Sequence, residues 1–265
     1  MLTMERAKEL NDAMVTEPHL RVHALSVSAA MRAMAAHFGE DAEHWAAIGY
    51  LHDYDYERYP EEHLQHTAEP LTEAGLTQEE VRAILSHGYG VCSDVEPVTN
   101  LEKSLYTVDE LTGIIGACAR MRPNGLHDLE VSSFMKKFKD KKFAAKCDRE
   151  LIKGGCAMLG MDVKDVAALC IEGMRPYAHE LGRMHIEQVL GEKVKTLAFD
   201  QANTEEEVSE DIEEAIRQGC SVIFTTAVQM VNQSVRSAIL HPDVKIYNCS
   251  IKMSYSSICT YYARM

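Results

Sequence analysis

The chain has 265 residues, 46% of them hydrophobic, and a formal net charge of −14 with a pI near 5.3. That is enough apolar material for one large domain or two smaller ones, while the acidic balance excludes broad attraction to nucleic acid polymers and to anionic membranes. The opening MLTMERAKELND has no signal-like apolar stretch, and no later segment approaches the ~20 uninterrupted apolar residues of a membrane helix, so the expectation is a cytoplasmic protein.

From Glu17 to Phe38, Leu20, Ala24, Val27, Met31, Met34 and Phe38 step by four and three, the period of an amphipathic helix that Gly39 stops. His23 sits one residue off that stripe. A second helix is predicted from the N-cap candidate Asp41 to about Asp53, with Trp45, Ile48 and His52 on one face. After the polar and aromatic YDYERYPEEH, Pro60 opens a predicted helix through His63 to about Ala74, closed by Gly75. Thr77 and Glu80 form a capping box for a helix carrying Val81, Ile84 and Leu85, which ends at the turn signal His87-Gly88-Tyr89-Gly90.

Past Pro97 and Asn100, a helix is predicted over Leu101–Ala119 with Leu101, Leu105, Val108, Leu111 and Ile115 inward and Asp109 inside it. Two more follow, Cys147–Leu159 and Val163–Val189. From about Lys193 the texture changes to short β-branched runs, VKTLAFD, SVIFTTA and VKIYNCS, separated by two helical stretches, which predicts a small βαβαβ unit with a parallel sheet. The fold expected is mainly α: an all-helical bundle over residues 1–190 and a partial α/β segment over 191–265. The eight cysteines form no C-x-x-C pair, which argues against a zinc ribbon or a redox dithiol, and the methionines sit mostly at helix-stripe positions as core filling.

Hydrolysis at a metal site needs nitrogen and oxygen ligands projected inward from rigid elements, with a position left open for water or substrate. His23, His52, Asp53, His63, His87 and Asp109 come from five successive predicted helices or helix ends and all could face a shared interior. A lone histidine on an apolar face is more often a hydrogen-bonded core imidazole. A carboxylate inside SLYTVDELTGIIGAC is harder to account for without a cation or several donors beside it. Asp55 and Glu57, just after the His-Asp pair, read mainly as exposed solvating carboxylates, with support of the ligands or proton donation as the alternative.

His23, His52-Asp53 and Asp109 resemble the H...HD...D signature of the HD-domain metal-dependent phosphohydrolase superfamily, in the small HDIG-like group, over about residues 5–180. The resemblance implies an all-helical hydrolase in which these four residues hold a divalent metal. Members with two metals add two histidines; HLQHTAEPL and VRAILSHGYG put His63 and His87 there, with His66 as the substitute for His63. One or two ions of manganese, iron, nickel, cobalt, zinc or magnesium are implied, with Asp53 as the catalytic residue that orients water or relays its proton. The continuation HDYDYE lacks the glycine and lysine of the HD-x-G-K form, which argues against a cyclic dinucleotide and for a small phosphorylated substrate, for instance a nucleotide.

A local +5 over residues 136–149, from Lys136, Lys137, Lys139, Lys141, Lys142, Lys146 and Arg149 against Asp140 and Asp148, is either a solvated surface or a phosphate-capturing patch. In the second case Lys136, Lys137, Lys139 and Arg149 are the candidate substrate-binding residues. The segment after about Lys193 resembles part of a periplasmic-binding-protein fold, in the basic membrane lipoprotein group that binds purine nucleosides, over about 70 residues. So small a sheet exposes an edge and an apolar face, so the expectation is that it packs on the helical domain, forms a homodimer or is marginally stable. Two rival functions stay open: a nucleoside-sensing regulatory protein with a structural metal domain, and a di-iron oxygenase on the same frame, since the ligand types overlap.

Overall fold

The computed structural model describes residues 1–122, 124–199, 202, 204–226, 230–248 and 257–260. The chain is mostly helical and divides into two compact units, Met1–Val194 and Lys195–Met265. Among the described residues, no helix is long and apolar enough to cross a membrane.

The first unit is all helical. α1 (Met4–Met14) starts at Thr3, whose hydroxyl accepts the Arg6 N–H, and packs on α3 (Ala42–Leu51). α2 (Pro18–Phe38) has Pro18 in its first turn and ends at Gly39 with φ of 72°. It lies at the centre of the unit, touching α3, α6 (Asn100–Arg120), α9 (Val163–Met174) and α10 (Ala178–Leu190). That explains why its buried surface is wider than the stripe of Ala24, Val27, Met31 and Met34 and includes Ser26, Ser28, Ala29 and Ala30. A buried small-residue face lets helices approach closely: a Cβ at Gly49 of α3 would lie 2.9 Å from Met31 Cγ and 3.2 Å from Ser28 Cα.

α5 (Gln78–Ser86) and α6 both begin with complete capping boxes, Thr77 with Glu80 and Thr99 with Glu102. Leu105, Val108, Leu111, Ile114 and Ile115 of α6 are fully buried, each contributing about 1.5–3 kcal/mol through the apolar area removed from water. α7 (Val131–Lys139), which periodicity did not single out, anchors through Phe134 and Phe138, and α8 (Arg149–Leu159) starts at Asp148, whose carboxylate caps Glu150 and Leu151.

Two predicted helices are broken. Over Pro60–Ala74 the chain makes a 3-10 turn at Pro60–Glu62, passes through Leu64 at φ of 69°, and only then forms the short α4 (Ala68–Glu73). The Asp55 carboxylate takes the Leu64 and His66 N–H groups at 3.1 and 3.0 Å, so side-chain acceptance replaces helix bonds there. The expected Val163–Val189 helix divides into α9 and α10 around the 3-10 turn Arg175–Tyr177, because Pro176 has no N–H to continue the ladder.

In the second unit, α11 (Glu205–Arg217) and α12 (Val231–Leu240) pack together, and β1 (Val222–Thr225), β2 (Lys245–Asn248) and β3 (Ile258–Thr260) form a parallel sheet in that order. β1, α12 and β2 make one βαβ crossover over a core of Val208, Ile212, Ala238, Val244, Ile246 and Ile258. The strand expected at VKTLAFD is not one: residues 194–199 carry no regular structure, and Asp200 lies outside the described residues. A β-branched run records local fit to a pleated surface, and without a partner strand it makes no ladder.

Candidate metal centre

Four helices and one turn supply the six candidate ligands. His23 lies in the second turn of α2, His52 is the C-cap of α3 with Asp53 following it, His87 is the C-cap of α5, and Asp109 sits mid-way along α6. His63 comes from the turn that interrupts the predicted Pro60–Ala74 helix.

The structure brings all six together. His23 Nε2 lies 2.8 Å from Asp109 Oδ1 and 3.2 Å from His52 Nε2, and His52 Nε2 is 3.4 Å from both Asp109 Oδ1 and Asp53 Oδ2. On the other side, His63 Nε2 and His87 Nε2 are 3.2 Å apart and stand 3.4 and 3.6 Å from Asp53 Oδ1. Asp53 thus turns one oxygen to each group. Two sets, His23/His52/Asp109 and His52/Asp53/His87, have donor atoms close enough to hold a metal ion.

The outer nitrogens determine what the inner ones offer. His52 Nδ1 donates to the Gly49 carbonyl at 2.8 Å and His87 Nδ1 to the Ile84 carbonyl at 2.6 Å, each three residues back in the last turn of its helix. His63 Nδ1 faces Asp55 Oδ1 at 2.7 Å. With Nδ1 carrying the proton, the Nε2 of a neutral ring presents a lone pair inward. Three such lone pairs converge with carboxylate oxygens, an all-acceptor cluster that requires positive charge to hold it. The negative ends of α3 and α5 add to that demand.

Protons can meet the demand. Burial opposes charge on the His23 ring, but the Asp109 hydrogen bond and the Asp109 and Asp53 charges raise it to about 9. His63 is likewise raised to about 9, against burial, by Asp53 and Asp55. Asp53 and Asp109 are both held well below the usual carboxylate range, the histidines around them outweighing burial. Imidazole nitrogens, carboxylate oxygens and fixed tautomers form a donor set suited to a divalent ion of the first transition row.

Asp55 is the residue the sequence reading undervalued. It is fully buried rather than solvated, and it holds the His63 ring together with the Leu64 and His66 backbone. Glu57 also is no idle surface acid, because its carboxylate accepts the Thr16 and Glu17 N–H groups and the Thr16 hydroxyl at the start of α2. His66 stays outside the cluster, bonded to Glu62 at 2.7 Å and stacked on Tyr59. Gly88, directly after His87, has no room for a side chain: a Cβ there would come within 2.5 Å of Cys92 Sγ and 2.6 Å of Leu64 Cδ1. A histidine ending a capped helix was the available signal for His52 and His87, and HDYD was the only signal for Asp55.

The candidate phosphate-binding residues divide. Lys139 and Arg149 line a groove beside α7 and α8; Lys136 and Lys137 do not, and the Lys137 ammonium sits 5.0 Å over the Phe143 ring. Arg149 is not available to a phosphate: its guanidinium donates to the carbonyls of Phe138, Asp140, Phe143, Ala144 and Cys147, clamping the turn. No protein-family model, curated protein or solved structure matches the chain, and the donor geometry therefore carries the chemical reading.

Proposed function

We propose that the Met1–Val194 unit is a metal-dependent phosphohydrolase acting on a small phosphorylated compound, with one or two divalent ions held by His23, His52, Asp53, His63, His87 and Asp109. The observation that carries this reading is Asp53, whose two oxygens face two separate histidine groups, as a carboxylate shared between neighbouring ions would. Divalent ions bound there would supply Lewis acidity toward phosphoryl oxygens and lower the pKa of water. His52 and His87 would turn their Nε2 atoms to the ions, Asp55 would set the tautomer of His63, and Asp53 would orient an attacking water or relay its proton.

Elemental analysis of the purified protein, with phosphomonoesters and phosphodiesters supplied alongside manganese, nickel and iron, tests the reading. The expected result is bound metal and hydrolysis, with His63→Ala and His87→Ala losing one ion and His23→Ala losing the other. No bound divalent metal together with no hydrolysis refutes it. Iron-specific oxygen consumption would reassign the same donors to a di-iron oxygenase.

A further inference from the structure

The groove beside α7 and α8 has a volume of about 970 Å³, and its lining includes Lys139, Lys141, Lys146, Lys153 and Lys164. The chain has 41 acidic against 27 basic residues, so carboxylates are abundant. Lys153 pairs with Glu150 at 2.7 Å, whereas Lys139, Lys141, Lys146 and Lys164 have no carboxylate within ion-pairing distance among the described residues. Four unpaired ammonium groups thus share the lining of one groove with the carboxylates of Asp148, Glu150 and Asp162.

The lysines also stand on a fixed frame. The Arg149 guanidinium ties five carbonyls between Phe138 and Cys147, which holds the segment bearing Lys139, Lys141 and Lys146 in a closed turn. A ligand then meets ammonium groups whose backbone is already ordered, which lowers the entropy lost on binding. One end of the groove abuts α6: Asp148, part of its lining, donates its N–H to Glu110 Oε2 at 3.2 Å, and Glu110 follows Asp109.

We propose that this groove binds the phosphates of a small molecule carrying at least two of them, a pyrophosphate or oligophosphate group, and so names the substrate class of the metal centre. The identification as substrate rests on the hydrolase reading; the binding does not. Four unpaired ammonium groups in so large a space match a multiply charged anion better than a single phosphate. A polymer would run on into Asp148, Glu150 and Asp162 and a protein of net charge −14.

The test is calorimetric titration of sodium tripolyphosphate into the full chain, stripped of metal and kept in chelator, at two salt concentrations. Saturable binding is expected, weakened by added salt, at least tenfold tighter than inorganic phosphate. It should fall at least tenfold in Lys139→Ala/Lys141→Ala/Lys146→Ala and persist in the triple Arg variant at the same positions. Lys8→Ala/Lys142→Ala/Lys193→Ala removes the same charge from exposed positions outside the groove and should leave affinity unchanged. Absence of saturable binding, equal weakening in both alanine triples, equal affinity for inorganic phosphate, or tighter binding of a single-stranded RNA oligonucleotide overturns the proposal. Binding that survives while metal-loaded protein fails to hydrolyse any oligophosphate would sink the hydrolase reading and leave the groove standing.

Discussion

Asp55→Asn changes one atom of a fully buried carboxylate and should separate the two halves of the centre. Asp55 Oδ1 accepts from His63 Nδ1 at 2.7 Å and Leu64 N at 3.1 Å, and Oδ2 accepts from His66 N at 3.0 Å. With the amide oxygen turned to His63, the new NH₂ opposes the His66 N–H, two buried donors facing each other, which costs about 1–3 kcal/mol. Loss of the charge assistance on the His63 bond adds about 1 kcal/mol. Together this is about 2–4 kcal/mol, or roughly 5–15 °C in Tm for a unit of this size. The Asp55 carboxyl is held below its ordinary value of 3.8, burial being outweighed by the His63 and Leu64 hydrogen bonds and the His63 charge. A depressed carboxyl stabilises above its unfolded value, and that contribution is lost as pH falls, so variant and parent should converge in acid. Metal affinity at the His63/His87 side should fall about 10–100-fold, the usual effect of removing a residue that orients a ligand, while the His23/His52/Asp109 side keeps its ion. Thermal melts of metal-free protein and elemental analysis after dialysis at limiting metal read both effects. A variant that matches the parent in Tm and in metal content would refute the reasoning.

Gly49→Ala forces a Cβ to 2.9 Å from Met31 Cγ and 3.2 Å from Ser28 Cα; the methionine can yield but the backbone cannot, so about 1–3 kcal/mol of overpacking strain should appear in urea denaturation. Since α2 and α3 carry His23 and His52, metal affinity should fall as well. Glu102 is buried in its capping box beside Arg82, and the Thr99 and Val98 backbone bonds with the Arg82 contact outweigh burial to hold its carboxyl below 4.5. Its stabilisation is present above that value and lost as pH drops, so Glu102→Gln should flatten the fall in urea midpoint between about pH 5 and 3. Arg149→Lys substitutes one ammonium for a planar fork that reaches five carbonyls; amide exchange in residues 138–147 should quicken by at least tenfold, with metal content unchanged.

The long helices were legible because periodicity and caps agree. At α5 the capping threonine, the glutamate three residues on and the apolar spacing all point to one start, and at α6 the apolar spacing places the helix within a residue of its Asn100 start. The sequence also marks His23, His52, Asp53, His63, His87 and Asp109 as a set, since polar ligand types at the margins of apolar stripes are costly unless partnered. Asp55 was not legible, because nothing in HDYDYE distinguishes a carboxylate that collects three donors from one facing water. The same residue hid the turn at His63–Leu64: Pro60, Glu61 and Glu62 favour a helix start, and only a long-range acceptor overrides them. In the second unit, SVIFTTA and VKIYNCS found each other as β1 and β2, whereas VKTLAFD has equal β character and no ladder; pairing is a property of the sheet, not of the segment.

The cluster shows how a helical scaffold can gather metal-ligating side chains at its own helix ends. A helix terminates with carbonyls that have no intrahelical donor. In α3 and α5 a C-cap histidine reaches back three residues to a carbonyl of the last turn, which directs the second nitrogen away from the helix. His63 has no helix end to lean on, and there a buried carboxylate takes the carbonyl's place. All three rings end in the same orientation, outer nitrogen held by an acceptor and inner nitrogen turned to the cluster, by two different routes. Around them Asp53 and Asp109 add acceptors and no donors, so the interior is stable only with positive charge bound. Protons can provide it, as the raised His23 and His63 show, but a proton bridges two acceptors, whereas a divalent ion can engage four to six. With two groups of acceptors sharing Asp53, the cluster has donor sets that could hold a divalent ion.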